Sequence, residues 1–405
     1  MSTAAALREI GRQLDDPAGV GRAFDELLAT RTEPPTLLAL GEPTHGIEAF
    51  PLLRNELLGQ LADRGFRSIV LETDFLAAPI VDDYVNGGPA DIDTVLATGF
   101  SHSFGAVPGN RELLEWLRAY NAGRAPEDRI RFYGFDAPTE YSSAPSPRHT
   151  LAHAVDYLPT ALRPESTHNL DTLLGPDSAW TNEAAMFDPA ASIGNSGSAH
   201  ALRVIADDLT SALHRAGPAL RRTNPIAYDD ARAHARIAQA LLRYHAAMAT
   251  PTPDRIETLL SVRAEMMAEN LLTIAAREQR RGPILVFAHN IHLQRSQPAL
   301  FATDNARPWA NAGALVDLAL GDRYLFIASD ANPHSDHGTL QGALAAATTR
   351  RALFPTPALL PALPPTIGPG EPILPGHFPV NPAELTGADA IIFIADTDGK
   401  RHQYW

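Results

Sequence analysis

Residues 37–46 have the sequence Leu-Leu-Ala-Leu-Gly-Glu-Pro-Thr-His-Gly, and this stretch decides the expected fold. Its four apolar residues have the length and flanks of a fully buried strand, and the run ends at Gly41. Glu42 and His45 come shortly after it. In open parallel α/β sheets, ligands bind in the crevice outside the carboxyl ends of the strands. The stretch therefore predicts a buried strand that holds an acid and a base at a ligand-binding edge.

The same pattern, in which a carboxylate follows a predicted strand, occurs three times in the first third of the chain. Glu42 follows residues 37–40, Glu72 follows residues 68–71 and Asp136 follows residues 130–135. The alternative role for Glu72 is to cap the next helix, although Thr73 or Asp74 would fill that role better. Three carboxylates at the carboxyl edge of one sheet predict a functional site.

Strand and helix patterns alternate except in the middle of the chain. Helical patterns at 229–248 and 256–277 replace the alternation there, and a later buried strand at 284–288 is followed by His289 and His292. The chain is therefore expected to be an α/β protein of three α/β/α layers, with a mainly parallel sheet and an inserted helical subdomain. The expected domains are the first part of the α/β core at 1–147, a helical insertion or lid at 148–281, and the second part of the core at 282–405.

The C-terminal third contains two more predicted strands, at 324–328 and 388–395. Between them, residues 355–382 hold ten of the 34 prolines. This predicts an ordered wrapping loop and not a helix, because proline lacks the backbone N–H that a helix needs. His334 and His337 follow the first of these strands in a polar loop, from which they could contact a ligand.

Two arginines lie on core-facing rows of predicted helices. Arg54 shares a face with the apolar residues of a helix at 48–64, so it must either snorkel to water or pair with a buried anion. Arg263 fills a gap in the apolar row of the helix at 256–277. A helical insertion that carries an arginine toward a carboxylate-rich sheet edge would form a lid or a cleft wall.

Composition indicates a soluble enzyme that acts on a small molecule. The chain has 405 residues, 45% of them hydrophobic, and a formal net charge of −14. Nucleic acids and membranes are not expected as partners, because binding them requires clustered cations. Lys400 is the only lysine and cysteine is absent, which argues against Schiff-base and thiol chemistry. No apolar signal segment or spanning run occurs, so a cytoplasmic location is expected, and the oligomeric state is left open.

Several familiar catalytic motifs are missing from the sequence. It has no nucleophile elbow, no His-Glu-x-x-His pair, no Walker loop and no Gly-x-Gly-x-x-Gly after a strand. Zinc held by His45, His289 and His292 with a carboxylate is an alternative, although the arginines would repel a cation. The expectation is acid/base chemistry without metal or cofactor, in which histidines lie near carboxylates and arginines hold anionic charge.

Six groups of residues, spread over most of the chain, are shared with one known family. In chain order they are Gly41-Glu-Pro-Thr-His-Gly46, Arg54, Leu71-Glu72, Tyr133-Gly-Phe-Asp136, Arg263 with Met267-Ala-Glu-Asn270, and Ala288-His-Asn-Ile-His292. In these groups the chain resembles the erythromycin esterases. It departs from the family pattern at Ala264, where an aspartate is frequent, and around residues 75–110, where it lacks tryptophans that are common in the family.

The resemblance implies an α/β/α core with a helical subdomain and a cleft in which His45 acts as general base on a water, supported by Glu42. It also implies that Glu72 and Arg54 shape the charge network, while Arg263, His289 and His292 complete the wall. The predicted catalytic residues are His45, Glu42, Glu72, His289 and Arg54, and the predicted substrate-binding residues are Arg263, His292, Asp136, His102 and His334, with no metal and no cofactor.

Three functions fit these residues. The first is hydrolysis of a carboxylic ester or macrolactone in a bulky natural product, either for antibiotic resistance or in biosynthesis. The second uses the same acid/base site for elimination, transesterification with lactone formation, or cyclisation of a biosynthetic intermediate. The third is binding of a haem-like or other anionic ligand, with histidines as its ligands and arginines on its carboxylates.

Overall fold

A mixed sheet organises the computed structural model of the protein, which describes residues 3–140, 143–298 and 308–397, so Lys400 lies outside the described residues. The strands, in chain order, are β1 (Arg12–Gln13), β2 (Leu37–Glu42), β3 (Ser68–Asp74), β4 (Arg131–Asp136), β5 (Ile284–His289), β6 (Tyr324–Ala331), β7 (Arg351–Pro355) and β8 (Ala390–Ile394). Across the sheet their order is β1-β7-β8-β6-β2-β5-β3-β4. β7 is antiparallel to both of its neighbours and the other pairs are parallel, which confirms a mainly parallel sheet.

Helices connect the strands and also build a helical unit. In chain order they are α1 (Thr3–Ile10), α2 (Pro17–Ala29), α3 (Ala49–Ala62), α4 (Pro79–Val85), α5 (Ile92–Thr98), α6 (Asn110–Asn121), α7 (Arg148–Tyr157), α8 (Leu170–Leu174), α9 (Gly197–Thr223), α10 (Pro225–Met248), α11 (Arg255–Glu278), α12 (Asn290–Leu293), α13 (Ala312–Leu320), α14 (Leu340–Ala345) and α15 (Thr356–Ala362). None of these described helices combines the length and the apolar character that a membrane span needs.

Side chains on the two faces of the sheet enter two different cores. In β2, Leu38 and Leu40 belong to a core that includes residues of α2 to α6. Leu37 and Ala39 belong to the other core, with residues of α1, α11 and α13 to α15. Successive side chains of a strand point to opposite faces, so a strand that is apolar at every position is buried on both. These layers confirm the predicted α/β/α arrangement.

The strands extend beyond the apolar runs that predict them. Glu42 is the last residue of β2 and pairs with His289, while Asp136 ends β4 beside Asp74 of β3. Glu72 lies inside β3 and the next helix, α4, has no side-chain cap, so the capping role for Glu72 is wrong. Glu42, Glu72, Asp136 and His289 are therefore part of the sheet itself, whose backbone pairing holds them in place.

The chain divides into two compact units. Unit 1 comprises Met1–Asp136, Met267–Ala299 and Ala310–Trp405 and contains the sheet, and unit 2 comprises Ala137–Met266 with Leu300–Trp309. These limits differ from the expected domain boundaries at 147/148 and 281/282. One reason is that α11 is a continuous helix that changes core within its length: Met266 packs in a core of unit 2, and Met267 packs in a core of the sheet. Helical periodicity alone does not reveal such a change.

The proline-rich segment 355–382 differs in part from its prediction as a loop. It contains α15, in which Pro357 lies in the first turn and Pro361 near the end. Proline in a first helical turn costs no hydrogen bond, because the N–H groups there have no partner within the helix. The prediction is therefore wrong for Thr356–Ala362, whereas residues 363–381 are irregular as expected.

Asn290, which follows β5, begins a bridge through Ser329 of β6 to β2, just beyond Leu40, where the backbone pairing of β2 and β6 ends. Its side chain donates to the carbonyl of Ser329 (2.8 Å) and accepts from the N–H of the same residue (3.1 Å). The Ser329 hydroxyl donates to the carbonyl of Gly41. These hydrogen bonds replace the missing backbone pairing, and they fix the end of β2 that carries Glu42.

We expect Gly41→Ala to lower the free energy of unfolding by about 1–3 kcal/mol, the usual cost of overpacking a buried position. A Cβ on Gly41 would lie 2.1 Å from the Asn290 amide oxygen, so the Asn290 bridge must break or the strand must shift. Chemical denaturation measures the change. Gly59→Ala in α3 is the control, because the nearest neighbouring atom there is 4.0 Å from the added Cβ. Equal stability of the two variants would contradict the bridge.

Candidate active site

The Glu42–His45 pair lies at the carboxyl end of β2. The Nδ1 of His45 is 2.8 Å from Oε1 of Glu42. A carboxylate accepts a hydrogen bond, so the ring donates from Nδ1, and a neutral His45 then keeps its lone pair on Nε2. This is the tautomer that a general base needs, and the carboxylate both selects and orients it.

The carboxyl of Glu42 is buried, and burial raises its pKa. The hydrogen bond and the charge of His45 oppose this rise, as does the more distant charge of Arg54. Oε2 of Glu42 is buried and has no hydrogen-bond partner among the residues that the structure describes. The ionised form of Glu42 therefore depends on positive charge nearby, and a protonated His45 would stabilise it most directly.

Glu72 connects the ends of β3 and β5 to the histidines. Its Oε2 accepts the backbone N–H of His289 at 2.8 Å. Its Oε1 lies 3.2 Å from Nε2 of His292 and 3.8 Å from Nε2 of His45. The carboxylate of Glu72 therefore faces the nitrogen of His45 that carries the lone pair, and His292 lies against the same oxygen.

His289 is a neutral histidine whose two ring nitrogens are both used by backbone groups. Nε2 donates to the carbonyl of Pro43 at 2.9 Å, and Nδ1 accepts the N–H of Ile291 at 3.2 Å. Burial, with the charge of nearby His45, lowers the pKa of His289 to about 3. His289 thus holds the loop between Glu42 and His45 in place, and carrying a proton in catalysis would require it to give up one of these bonds.

Arg54 is buried, with only 1% of its surface exposed, so the alternative that it snorkels to water is wrong. Its guanidinium donates to the side-chain oxygens of Asn55 and Asn110 and to the carbonyl of Gly109. It also lies 5.0 Å from the centre of the Phe287 ring. No carboxylate of the described residues is within ion-pair distance, so neutral oxygens replace the buried anion that was the other alternative. Burial lowers the pKa of Arg54 to about 10, and the charge of Glu42 opposes that shift.

His102 and Asp136 form a second buried pair, with Nε2 of His102 3.0 Å from Oδ2 of Asp136. His102 has a φ of 55°, in the left-handed region, and the adjacent Ser103 does as well. The ring of Phe104 lies between the two histidine rings, 5.5 Å from His102 and 4.6 Å from His45. Two ring contacts thus connect the His102–Asp136 pair to His45 through Phe104.

The remaining predicted substrate-binding residues are His334 and Arg263. His334 is exposed in the turn after β6. Arg263 lies in unit 2, where it is half-buried on α11 and the neighbouring Ala264 is buried. At the start of this helix Ile256 is exposed and Arg255 is buried, so the predicted apolar row does not hold there.

A buried Asp330–His377 pair was not predicted from the sequence. Nε2 of His377 lies 2.9 Å from Oδ1 of Asp330, and Oδ2 accepts the N–H of Val380. Phe378, the residue after His377, donates its N–H to the carbonyl of Pro43. The Asp330–His377 pair therefore anchors the proline-rich segment 355–382, here called the wrapping segment, against the loop between Glu42 and His45. A signal was present: Asp330 follows an apolar run, as the other carboxylates do.

A cavity of about 260 Å³ adjoins this cluster in unit 1. Its described lining includes His289, Asn290, Phe378 and Glu384, but not the Glu42–His45 pair. Its size suits a few waters or a small group more than a bulky ligand. We therefore locate the candidate chemistry by hydrogen bonding and charge, and not by the cavity.

Among the described residues, one group of three histidine or carboxylate side chains is close enough together to bind a metal ion. It consists of His153, Asp230 and His234 and lies in unit 2. At the sheet edge, the alternative of zinc on His45, His289 and His292 would require His289 to break a backbone hydrogen bond. Each histidine ligand of a metal must present a lone pair. The residues of the sheet edge are thus arranged for hydrogen bonding.

Comparison with known proteins identifies the family. The family model described as Erythromycin esterase matches residues 61–350. The chain belongs to the erythromycin esterase family. This confirms the resemblance found in the sequence, and it supports an ester hydrolase, with macrolide esters as substrates at the level of the family.

Individual relatives agree with this family. Erythromycin esterase type II of Escherichia coli is 26% identical in an alignment of 303 residues, and the match covers 71% of this chain and 67% of the relative. A solved structure of a Bacillus cereus protein has a TM-score of 0.72 at 16% identity, covering 97% of this chain and 96% of that one. A mutant of the erythromycin esterase EreC in its open conformation has a TM-score of 0.63 at 18% identity, covering 91% and 92%. At such identities the two structures show a shared fold.

We expect His289 to make unfolding sensitive to acid. Its pKa in the folded chain is about 3 against 6.5 for an ordinary histidine, so its contribution to stability is complete above about pH 6.5 and is lost as the pH falls toward 3. In that range it adds a slope of up to about 1.4 kcal/mol per pH unit to the free energy of unfolding.

Chemical denaturation between pH 4 and pH 7, roughly the range in which the two protonation states differ, measures this slope. His289→Gln retains a donor for the Pro43 carbonyl but cannot titrate, so its slope should be smaller than that of the wild type. His200→Gln, at an exposed position of α9, is the control and should keep the wild-type slope. Parallel curves for the wild type and His289→Gln would count against this role.

Proposed function

We propose that this member of the erythromycin esterase family hydrolyses a carboxylic ester or macrolactone in a bulky natural product, and that it does so without a metal. The observation that carries the proposal is the 2.8 Å hydrogen bond between Glu42 and His45, which places a lone pair on the Nε2 side of the ring. A histidine held in this way can take a proton from water near neutral pH. Erythromycin esterase family membership supports an ester as the bond that is cleaved.

In the proposed reaction, Nε2 of His45 takes a proton from a water whose oxygen attacks the ester carbonyl carbon. The C–O bond to the leaving group then breaks, and the protonated His45 returns its proton to the leaving alkoxide. The products are a carboxylic acid and an alcohol, so one water is added in total. The Oε1 of Glu72, 3.8 Å from Nε2, is close enough for one water to hydrogen-bond to both atoms.

Glu42 contributes in this mechanism through its charge. Burial disfavours its ionised form, and the imidazolium that forms on His45 offsets that cost at the moment of proton transfer. General-base catalysis of this kind typically contributes about 10²- to 10⁴-fold to the rate. His292, Arg263, Asp136, His102 and His334 remain predicted substrate contacts, and Arg54 acts on the site only through its charge and the Gly109–Asn110 turn.

The first experiment is mass spectrometry of macrolides and simple aryl esters incubated with the purified protein in H₂¹⁸O. We expect a macrolactone to give a ring-opened product heavier by one labelled water, and an aryl ester to give a labelled acid and an unlabelled phenol. His45→Ala and Glu42→Gln should reduce the rate about 10²-fold or more, because each removes part of the proton acceptor. His200→Ala should leave the rate unchanged. Full activity of His45→Ala would rule out the mechanism.

Product masses and an absorption spectrum separate the other two functions from ester hydrolysis. Loss of water or of a small acid from the substrate would indicate elimination, and an unlabelled product of unchanged mass would indicate cyclisation. A well-folded protein that turns over no ester but takes up haem, with a Soret band, would favour ligand binding. Each of these results would replace ester hydrolysis as the function of the site.

We expect Arg54→Gln to move the acidic limb of the kcat/KM profile to higher pH. The charge of Arg54 lowers the pKa of Glu42, so its removal makes Glu42 harder to ionise. The limb belongs to the coupled Glu42–His45 pair and not to one residue. Arg54→Lys keeps the charge and should keep the wild-type limb, whereas Arg67→Gln controls for loss of an arginine that binds only backbone carbonyls. An unshifted limb in Arg54→Gln would show that its charge does not reach Glu42.

A further inference from the structure

Four side chains that can bind a metal project from two helices of unit 2. His149 and His153 are four residues apart on α7, and Asp230 and His234 are four residues apart on α10. Residues at this spacing lie on the same face of a helix. Each helix therefore presents a pair of donors, and ring contacts join the two pairs.

Asp230 lies between the two histidines nearest to it. Its Oδ2 is 2.7 Å from Nε2 of His153, and its Oδ1 is 3.6 Å from Nδ1 of His234. Each of the three residues offers a donor atom, and these atoms all lie within 4.8 Å of one another. Metal–ligand bonds of about 2.0–2.2 Å bring the ligand atoms of a zinc ion to within about 4.4 Å of each other. Only small side-chain movements are therefore needed to close this group on one ion.

The state of His234 suits a metal ligand. Its Nδ1 is 3.0 Å from the backbone carbonyl of Asp230, so it donates there and leaves the lone pair on Nε2. A second nitrogen fixed by a carbonyl or carboxylate is the usual arrangement of a metal-binding histidine. His234 is only 6% exposed and packs among helices whose core is rich in alanine and leucine. Burial lowers its pKa, which favours the neutral form that a metal requires.

The rings of His153 and His234 are stacked, with centroids 3.8 Å apart and planes 16° from parallel. The stacking holds the two rings side by side, so that one cation can contact a nitrogen of each. The ring of His149 is 5.6 Å from that of His234 and can supply a fourth ligand, a position that water would otherwise fill. A set of two or three nitrogens and one carboxylate oxygen suits zinc and its neighbours in the transition series, whereas calcium and magnesium prefer oxygen.

We propose that His153, Asp230 and His234 form a binding site for a divalent transition metal such as Zn²⁺, with His149 or water as the fourth ligand. The ion would cross-link α7 and α10 within unit 2. The site shares no residue with the Glu42–His45 pair. Its role is structural, and it would stabilise the helical unit without taking part in ester hydrolysis.

The test is a titration of Zn²⁺ into the full-length protein, freed of any purification tag and stripped of metal, in competition with a chromophoric chelator. One equivalent should bind, and Zn²⁺ should raise the melting temperature of the wild type by a few degrees. His153→Gln should weaken binding at least about 10-fold and abolish the thermal shift. It should leave any ester hydrolysis intact. The 37% exposure of the His153 side chain makes misfolding of this variant a small risk.

Two control variants locate the bound ion. His200→Gln, an exposed histidine of α9, should bind Zn²⁺ as the wild type does. His45→Ala should also bind one equivalent of Zn²⁺, which would show that the ion is not bound by the residues around Glu42 and His45. Loss of the equivalent in His45→Ala with retention in His153→Gln would overturn the proposal. So would the absence of stoichiometric binding, since the His153–Asp230 contact would then be an ordinary ion pair only.

Discussion

The burial of the Glu42 carboxyl at the end of β2 is the constraint on which the candidate site depends. A buried carboxylate costs several kcal/mol, roughly, unless hydrogen bonds or opposite charges stabilise it. Here one oxygen is bound to His45 and the other has no hydrogen-bond partner among the described residues. The remaining compensation comes through space from Arg54, which is itself buried. Arg54 in turn is tolerated because three neutral oxygens and the face of Phe287 surround it. The charge of Glu42 is therefore incompletely neutralised, and the dyad gains when His45 takes up a proton.

The geometry of this dyad is set by backbone groups more than by other side chains of the cluster. The carbonyl of Pro43 accepts from Nε2 of His289 on β5 and from the N–H of Phe378 in the wrapping segment. The carbonyl of Pro43, which lies between Glu42 and His45 in the chain, thus accepts hydrogen bonds from two separate segments. His377, bonded to the buried Asp330, secures the wrapping segment beside Phe378. A rigid loop of this kind keeps the Nε2 of His45 at a fixed position relative to Glu72, which pre-organises proton transfer.

Local sequence patterns predict the parts of the fold that depend on local burial. Each buried strand that we predicted is present. Glu42, Glu72, Asp136 and His289 all lie in the C-terminal parts of four neighbouring strands. The patterns fail where a partner lies far away in the chain. Two of the three neutral oxygens around Arg54 come from Gly109 and Asn110, 55 and 56 positions later in the chain. The Asn290 bridge likewise joins the ends of β5, β6 and β2. The short antiparallel strand β7 and the change of core within α11 also depend on tertiary contacts that no periodicity records.

The histidines of the two units differ in the partners of their ring nitrogens. At the sheet edge, hydrogen bonds occupy both nitrogens of His289 and the Nδ1 of His45, and His292 lies against Glu72. Carboxylates and carbonyls there fix tautomers, which suits a single, directed proton transfer. In unit 2, the Nδ1 of His234 is bound to its own helix while its lone pair stays on Nε2, and the ring stacks on that of His153. The proposed acid/base chemistry and the proposed metal binding therefore use different histidines of the chain. A metal-independent reaction in unit 1 is then compatible with a structural ion in unit 2, and neither proposal depends on the other.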